Sequence, residues 1–502
     1  MPLWAGKYLP FTDLPQHVAA IATLRHWWDP AWKAQQYFTL DAGRSQYLLY
    51  YLVGTLLAFP LDTAERANLV LLSLTALAFP YALRSLLRAL RADERLALFA
   101  PALFYSQALL IGFFNYVAAL PLLLWALGLA VRDAEEPTPR RTAVLAVAAV
   151  ALFYLHLSAF LLFAPAAALA SAALSPRAPW AIARRLVWAG PAAAISLAFV
   201  ATSPVVHPRE VGWDRAVGIF FEPPGEALRK LPRALLDIWP GPGDDLVLLA
   251  LVAAAALIAW PQRRDPEPED QPRRRRIAAA WLAMAALLYL AFPIRIGWLW
   301  QLNERYAIAF ALLAACVLRP VRGWRGDAPL LLAAGAGLFS AGLAVPHVRA
   351  FSTEVDGFDR VLDVARPGER LRSLVYDPGS AHARFSPYLH FGSYYRARKG
   401  GVAAFSFAEL PQSPLRYRPE SAPPAMPEGW EWDPRRFSNE REGPYYDYLL
   451  VRGSVDPLAR HPVGPSWRRI AHEGLWSLYA KEGDEWRGRK AASVSPARDA
   501  MP

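Results

Sequence analysis

The chain has 502 residues, 55% of them hydrophobic, a formal net charge of +11 and a mean hydropathy of +0.16. That is too apolar for an ordinary soluble chain and too polar for a wholly embedded one, which leaves a polytopic membrane protein with a sizeable water-exposed part. The single cysteine, Cys316, excludes an intrachain disulfide framework. The positive charge clusters in short loops between apolar runs, not on a basic surface interleaved with aromatics, so it does not point to nucleic acid.

The opening residues, MPLWAGKYLP, hold no apolar core of signal-peptide length. FTDLPQHVAA follows at 11–20. A helix starting near Leu14 puts Asp13 and His17 on one face. Pro15 suits its first turn, and Thr12 or Asp13 suits the cap. A carboxylate there can serve as a general base on a hydroxyl; the plainer reading is a helix cap beside a surface histidine. Asp29 and Asp41 are weaker candidates, each next to a turn signal. The apolar run 47–59 is short and reads as a helix at the outer interface, with Tyr47, Tyr50 and Tyr51 at headgroup level.

Ten apolar runs long enough to span, or nearly so, follow at 67–83, 96–111, 116–131, 143–155, 158–174, 187–202, 246–260, 277–292, 306–318 and 328–345. If they alternate, five arginine-bearing loops fall on one side: Arg84 to Arg95; Arg132 to Arg141; Arg177 to Arg185; Arg263 to Arg276; and Arg319 to Arg325. The positive-inside rule makes that side cytoplasmic. The first segment, the turn at 112–115, the loops 207–245 and 294–305 and the tail after Pro346 are then outside.

Four outer features besides Asp13 and His17 are candidates. GFFNYVAALP, at 112–121, offers Asn115 and Tyr116 to a sugar or headgroup; the alternative is a tight turn with interfacial aromatics. His156 interrupts an apolar stretch, where an ionisable group is costly; it could equally be a packed, hydrogen-bonded histidine. QLNERYA, at 301–307, puts Arg305 at a helix start, with Arg295 just before; an arginine fork suits phosphate, although Arg305 could simply pair with Glu304. In the 207–245 loop an amphipathic segment carries Arg229 and Lys230 and could guide a lipid phosphate, or merely cover the bundle. No metal motif such as HExxH and no Walker A loop occurs. No cofactor is called for, although an acidic loop facing a phosphate donor could recruit a divalent metal, Mg or Mn, weakly.

From Phe351 the chain is rich in charge, Pro and aromatics. FDRVLDVA reads as a short helix, LRSLVYD and YDYLLVRG as strands, and WRRIAHEGLWSLYAK as a hairpin turning at Glu473-Gly474. Residues 411–434 read as a long loop. The expected fold is a multi-pass α-helical membrane bundle of about ten spans, or one more if 47–59 crosses, with a C-terminal extracytoplasmic α/β domain. Its parts are an outer first loop with interfacial helices (1–65), the bundle (66–346), the α/β domain (347–490) and a disordered tail (491–502).

An outer first loop with a lone Asp in FTDLPQHVAAI, a series of spans, a turn like GFFNY and an outer C-terminal domain together resemble the GT-C superfamily of integral membrane glycosyltransferases. The resemblance covers about two thirds of the chain. It implies a sugar donor on a polyprenyl phosphate; a glycan, lipid or protein acceptor at the outer face of the bacterial inner membrane; and direct displacement with inversion. It makes Asp13 the base, aided or oriented by His17, and Arg305 with Arg295 the holders of the leaving phosphate. Asn115, Tyr116, His156, Arg229 and Lys230 would contact substrate or membrane lipid. The alternatives are a non-catalytic membrane-anchored assembly or binding protein, which needs no Asp13, and a lipid-linked flippase or transporter. The latter should place ionisable residues near the bilayer midplane, where the spans here are almost free of charge.

Overall fold

The computed structural model describes residues 2–175, 179–207, 218–261, 271–425, 429–455, 457 and 463–482. Among these residues four helices are long and apolar enough to cross a membrane: Ala64–Ala89, Phe114–Glu135, Leu157–Leu174 and Trp324–Glu354. The first shows why such segments start and stop where they do. Thr63, in extended backbone, accepts a hydrogen bond from the Arg66 amide, Glu65 sits in the first turn and Arg88 in the last, which matches side-chain charge to the helix dipole. At 1.5 Å per residue its 26 residues reach roughly 39 Å, more than the roughly 30 Å hydrocarbon core. Large apolar side chains stay exposed on these helices, among them Leu74, Tyr81, Leu331 and Leu338, as a lipid-facing surface requires.

The count of about ten spans goes beyond these four. Other expected spans are helical but shorter, as in Pro139–Leu155, Gly243–Ala259 and Tyr306–Ala315. Gln271–Ala291 has 21 residues but opens on a run of four arginines. The run 96–111 does not form one helix. It breaks into a 3-10 turn, Glu94–Phe99, and two short helices, Ala100–Phe104 and Gln107–Ile111, because Tyr105 and Ser106 leave helical backbone between them. Leu48–Ala58 is a separate helix of 11 residues.

The tail builds a five-stranded sheet in the order Val402–Ala404, Arg370–Val375, Tyr448–Arg452, Trp476–Lys481, Trp467–Glu473. The first three are parallel, the last two join antiparallel, and the central Tyr448–Arg452 is buried throughout, as a strand covered on both faces should be. The hairpin turns at Glu473-Gly474 as the sequence reads, and FDRVLDVA forms the helix Phe358–Asp363. The long loop is partly ordered: Leu415–Tyr417 pairs antiparallel with Phe38–Leu40, a partner so distant in sequence that local propensity cannot reveal it. The tail expected at 491–502 lies outside the described residues.

The first loop and the tail are bolted together. Arg398 donates to Glu65 at 3.0 Å, to Asp359 at 2.7 Å and to the Tyr8 hydroxyl at 3.0 Å. Arg398→Gln should lower stability by roughly 1–3 kcal/mol in detergent unfolding, since it strands the Glu65 carboxylate and leaves Asp359 only Lys7 and Tyr8. Lys7→Gln, which removes the more exposed Lys7–Asp359 pair, should cost less than about 1 kcal/mol. Equal losses would mean that the Arg398 network is not what joins the two parts.

Candidate functional site

Asp13 is the N-cap of the helix Leu14–Arg25, but its side chain does not cap it. The carboxylate turns instead to His390, whose Nδ1 donates to Asp13 Oδ1 at 2.8 Å. The other carboxylate oxygen makes no hydrogen bond among the described residues. His390 stacks on Phe405, with ring centroids 5.0 Å apart, and its Nε2 is buried without a partner. Gln16 secures this arrangement by donating to the Phe405 carbonyl at 2.7 Å and accepting from the Phe407 amide at 3.2 Å.

The backbone of Asp13 is tied to the second candidate segment. The Thr12 and Asp13 amides donate to the Leu110 and Ile111 carbonyls, both at 3.0 Å. Gly112 then ends the helix Gln107–Ile111 in left-handed backbone, φ +104°. Only glycine suits this place: a Cβ on Gly112 would sit 2.6 Å from the Asp13 Cβ, and the φ itself disfavours any other residue. His17 locks the same turn. Its Nε2–H donates to the Gly112 carbonyl at 2.7 Å, while its Nδ1 accepts from the Tyr51 hydroxyl at 3.1 Å. Burial drives the His17 pKa down from 6.5 to about 4, against the pull of Asp13 and of the hydrogen bond to Gly112. His17 is therefore neutral, with both ring nitrogens in use.

The rest of GFFNY leads to Arg305. The Phe113 ring lies under the Arg305 guanidinium, 4.4 Å from its centre. The Tyr116 hydroxyl donates to the Arg305 carbonyl. Asn115 donates to the Tyr47 carbonyl at 3.4 Å, and its Oδ1 is buried without a partner. Arg305 itself is 6% exposed. Its Nη2 donates to the Trp300 carbonyl at 3.2 Å, and its Nη1 lies 3.3 Å from His156 Nε2. His156 Nδ1 accepts from the Ser158 amide at 3.1 Å, so Nε2 is the nitrogen that faces Arg305. The tentative pairing with Glu304 does not form. No acidic side chain pairs with Arg305 among the described residues, and its Nε has no partner.

Arg295 and Lys230 are found elsewhere, lining a cavity of about 440 Å³ with Trp300, Gln301, Glu304 and Phe385. Trp300 joins this cavity to Arg305. The Arg295 guanidinium lies over Phe220 at 4.6 Å, and Lys230 pairs with Glu222. Arg229 is apart from both groups, exposed and paired with Glu226. Asp29 caps a 3-10 turn, and Asp41 pairs with Arg44. No group of three or more His, Cys, Asp or Glu is placed to hold a metal among the described residues. One carboxylate and one imidazole at Asp13 fall short of the oxygen-rich ligand set that Mg demands.

The fold places this geometry among known proteins. The crystal structure of ArnT from Cupriavidus metallidurans bound to undecaprenyl phosphate superposes with a TM-score of 0.53 over 95% of both chains, at 12% identity. The chain has the fold of that ArnT. Two further structures match less well: apo ArnT from the same organism, with a TM-score of 0.49 at 12% identity over 93% of both chains, and the Archaeoglobus fulgidus oligosaccharyltransferase with Zn and sulfate, with a TM-score of 0.39 at 14% identity over 88% of this chain and 64% of that one. No family model and no curated protein sequence matches. With this fold and its apolar helices, the chain is a membrane protein.

The candidate site holds one residue that sequence reasoning missed, His390. It lies 377 positions from Asp13, in an aromatic-rich stretch that gives no metal or catalytic spacing. Only the tertiary structure joins them.

A buried neutral His17 makes stability pH-dependent. Above pH 6.5 the ring is neutral folded or unfolded, and nothing is lost. Between pH 6.5 and about 4 the unfolded chain binds a proton that the fold refuses, so stability falls with pH, by up to ~3 kcal/mol from this group. His17→Gln keeps a donor for Gly112. The difference in unfolding free energy between wild type and this variant should shrink across that window. A constant difference would mean that His17 is protonated in the fold.

Proposed function

We propose that the protein is a membrane glycosyltransferase that moves a sugar from a polyprenyl-phosphate donor to a hydroxyl or amine acceptor at the outer face of the bacterial inner membrane. The observation that carries this reading is the pairing, through one turn, of an uncommitted Asp13 oxygen with a buried Arg305 that lacks an acidic partner. Gly112 abuts Asp13 and Phe113 underlies Arg305. A base and an anion holder fixed to one short segment are what transfer from a phosphate-linked donor needs. ArnT, with undecaprenyl phosphate bound on the same fold, supports a polyprenyl-phosphate donor.

The acceptor oxygen or nitrogen attacks the anomeric carbon as its proton passes to Asp13. The new bond forms as the bond from that carbon to the phosphate oxygen breaks, with inversion. The donor phosphodiester carries one negative charge and the departing phosphate gains a second. Arg305 faces that developing charge in a desolvated site, where a fixed cation acts most strongly. His390 orients the Asp13 carboxylate. His17 fixes the turn beneath it. Asn115 Oδ1 and His156 lie where substrate hydroxyls could be met, and Tyr116 anchors the Arg305 backbone. Arg295 and Lys230, in the adjoining cavity, would draw in the donor phosphate; Arg229, turned outward, would meet headgroups.

The one-sided arginine loops support an extracytoplasmic C-terminal domain (347–490) closing on the first loop (1–65) above the bundle (66–346).

The decisive experiment is transfer of labelled sugar from polyprenyl-phosphate donors in membranes. Asp13→Asn should lower the rate ~10²–10⁴-fold, and Arg305→Met ~10²–10³-fold, at normal protein level. His390→Phe should lower kcat more than it raises KM. Undiminished transfer by Asp13→Asn would remove Asp13 as the base and with it this reading.

A further inference from the structure

A line of four aromatic rings runs outward from Arg305. Phe113 lies under the guanidinium at 4.4 Å. The Trp300 ring is 6.4 Å from Phe113, Phe385 is 6.3 Å from Trp300, and Trp432 is 5.7 Å from Phe385, centroid to centroid. The first two rings come from turns between helices and the last two from the tail. Trp300 is the pivot: its carbonyl accepts from Arg305 at 3.2 Å, while its ring packs on Phe385. Gln301 follows in left-handed backbone, φ +50°, so the chain turns sharply there. Phe385 is held through its neighbour Arg384, which donates to the Trp239 and Gly241 carbonyls at 2.8 and 2.9 Å. Trp432 ends the 3-10 turn Trp430–Trp432. Trp430 points inward, its ring 6.0 Å from Phe405, the ring on which His390 stacks. Both ends of the line are therefore tied to the candidate site, one at Arg305 and the other at the support of Asp13.

Packing alone does not explain these rings. Trp300 and Trp432 are 39% and 45% exposed. One exposed ring means little, but a connected line of them leading from a site is a recognition feature. Trp300 and Phe385 also form part of the wall of the 440 Å³ cavity, beside the amides of Gln107 and Gln301. Aromatic walls with a few placed polar groups, at that size, suit a guest as bulky as a short oligosaccharide. A lipid chain does not suit the outer end. Membrane-belt tryptophans sit at the ends of spans, whereas Trp432 lies in a turn of the tail between Glu431 and Asp433, with Arg435 and Arg436 exposed just beyond. The guest must be wet at its rim and apolar on its faces. A sugar ring is both: hydroxyls surround it, and its C–H faces suit the negative face of an aromatic ring.

We infer that this line is the acceptor subsite and that the acceptor is a carbohydrate of more than one ring, lying along Trp300, Phe385 and Trp432 with its reacting end toward Asp13. The choice of a carbohydrate rests on the transferase reading; the line of rings itself does not. Trp432 and Phe385 are then specificity-determining residues, which bind the acceptor without touching the reacting atoms.

The test is binding of the full-length protein, in a detergent without a sugar headgroup, to an array of mono-, di- and longer oligosaccharides that also carries peptides and polyprenyl phosphate. Wild type should hold oligosaccharides at least ~10-fold more tightly than the corresponding monosaccharides, and Trp432→Ala and Phe385→Leu should each lose ~10-fold of that binding. Trp432→Phe, which keeps a ring, should retain most of it. Trp28→Ala, which removes an exposed tryptophan away from the line, should bind as wild type does. In transfer to an oligosaccharide that the array selects, Trp432→Ala should raise the acceptor KM and leave kcat and the donor KM unchanged. No preference for oligosaccharides, an equal loss in Trp28→Ala, or Trp432-dependent capture of a peptide or of polyprenyl phosphate instead would each overturn the inference. Absent transfer with Trp432-dependent oligosaccharide binding intact would sink the transferase reading and leave the glycan site standing. Where a variant does not fold, the comparison of ligands on the wild type still decides.

Discussion

A guanidinium buried without a carboxylate is the constraint around which the outer end of this bundle is arranged. Burying an unpaired charge costs several kcal/mol even after relaxation. Arg305 meets that cost piecemeal, with a carbonyl from Trp300, a ring nitrogen from His156 and the face of Phe113. None of these neutralises it. Each also fixes something else: Trp300 borders the neighbouring cavity, His156 starts the helix Leu157–Leu174, and Phe113 stands between Gly112 and the helix Phe114–Glu135. No acidic counter-ion reaches it among the described residues, and the proposed hold on the donor phosphate rests on that.

The position of Asp13 follows from the same turn. Its amide is held by the Ile111 carbonyl, and its Cβ fills the space that a side chain on residue 112 would need. The carboxylate is spared from helix capping and reaches His390 instead. Asp13 is thus oriented from the tail, while Arg305 is oriented from the bundle. Gln16 and His17 keep the two supports in register, one gripping the backbone around Phe405 and the other the Gly112 carbonyl. Neutrality suits His17 to this work. A charged imidazole beside Asp13 would compete with His390 for the carboxylate.

Much of this was legible in the sequence because the signals are local. The apolar runs at 67–83, 116–131, 158–174 and 328–345 fall inside helices long enough to span. Pro15 and Asp13 mark the start of Leu14–Arg25, and the hairpin turn at Gly474 carries its own glycine. Asn115 with Tyr116, His156, and Arg305 lie in three separate stretches and meet in one cluster. What the sequence hid was non-local. His390 has no spacing signature, the strand Leu415–Tyr417 needs Phe38–Leu40 to exist, and the run 96–111 looks apolar enough for a helix until Tyr105 and Ser106 break it. Hydropathy registers where a segment is buried but not whether its backbone stays continuous.

The +11 charge takes on two different meanings at the two ends of the molecule. Near the Gly112 turn Arg305 is buried with no acidic partner among the described residues, so its field is weakly screened. At the opposite end arginines gather around a wide space walled by tryptophan and leucine, where water and counter-ions weaken each one and only their number makes them effective. The first is a fixed internal charge and the second a set of solvated ones. Loop charge of that kind orients a chain in the membrane, and its buried member, Arg274, is held by Glu135 and the Ala89 carbonyl.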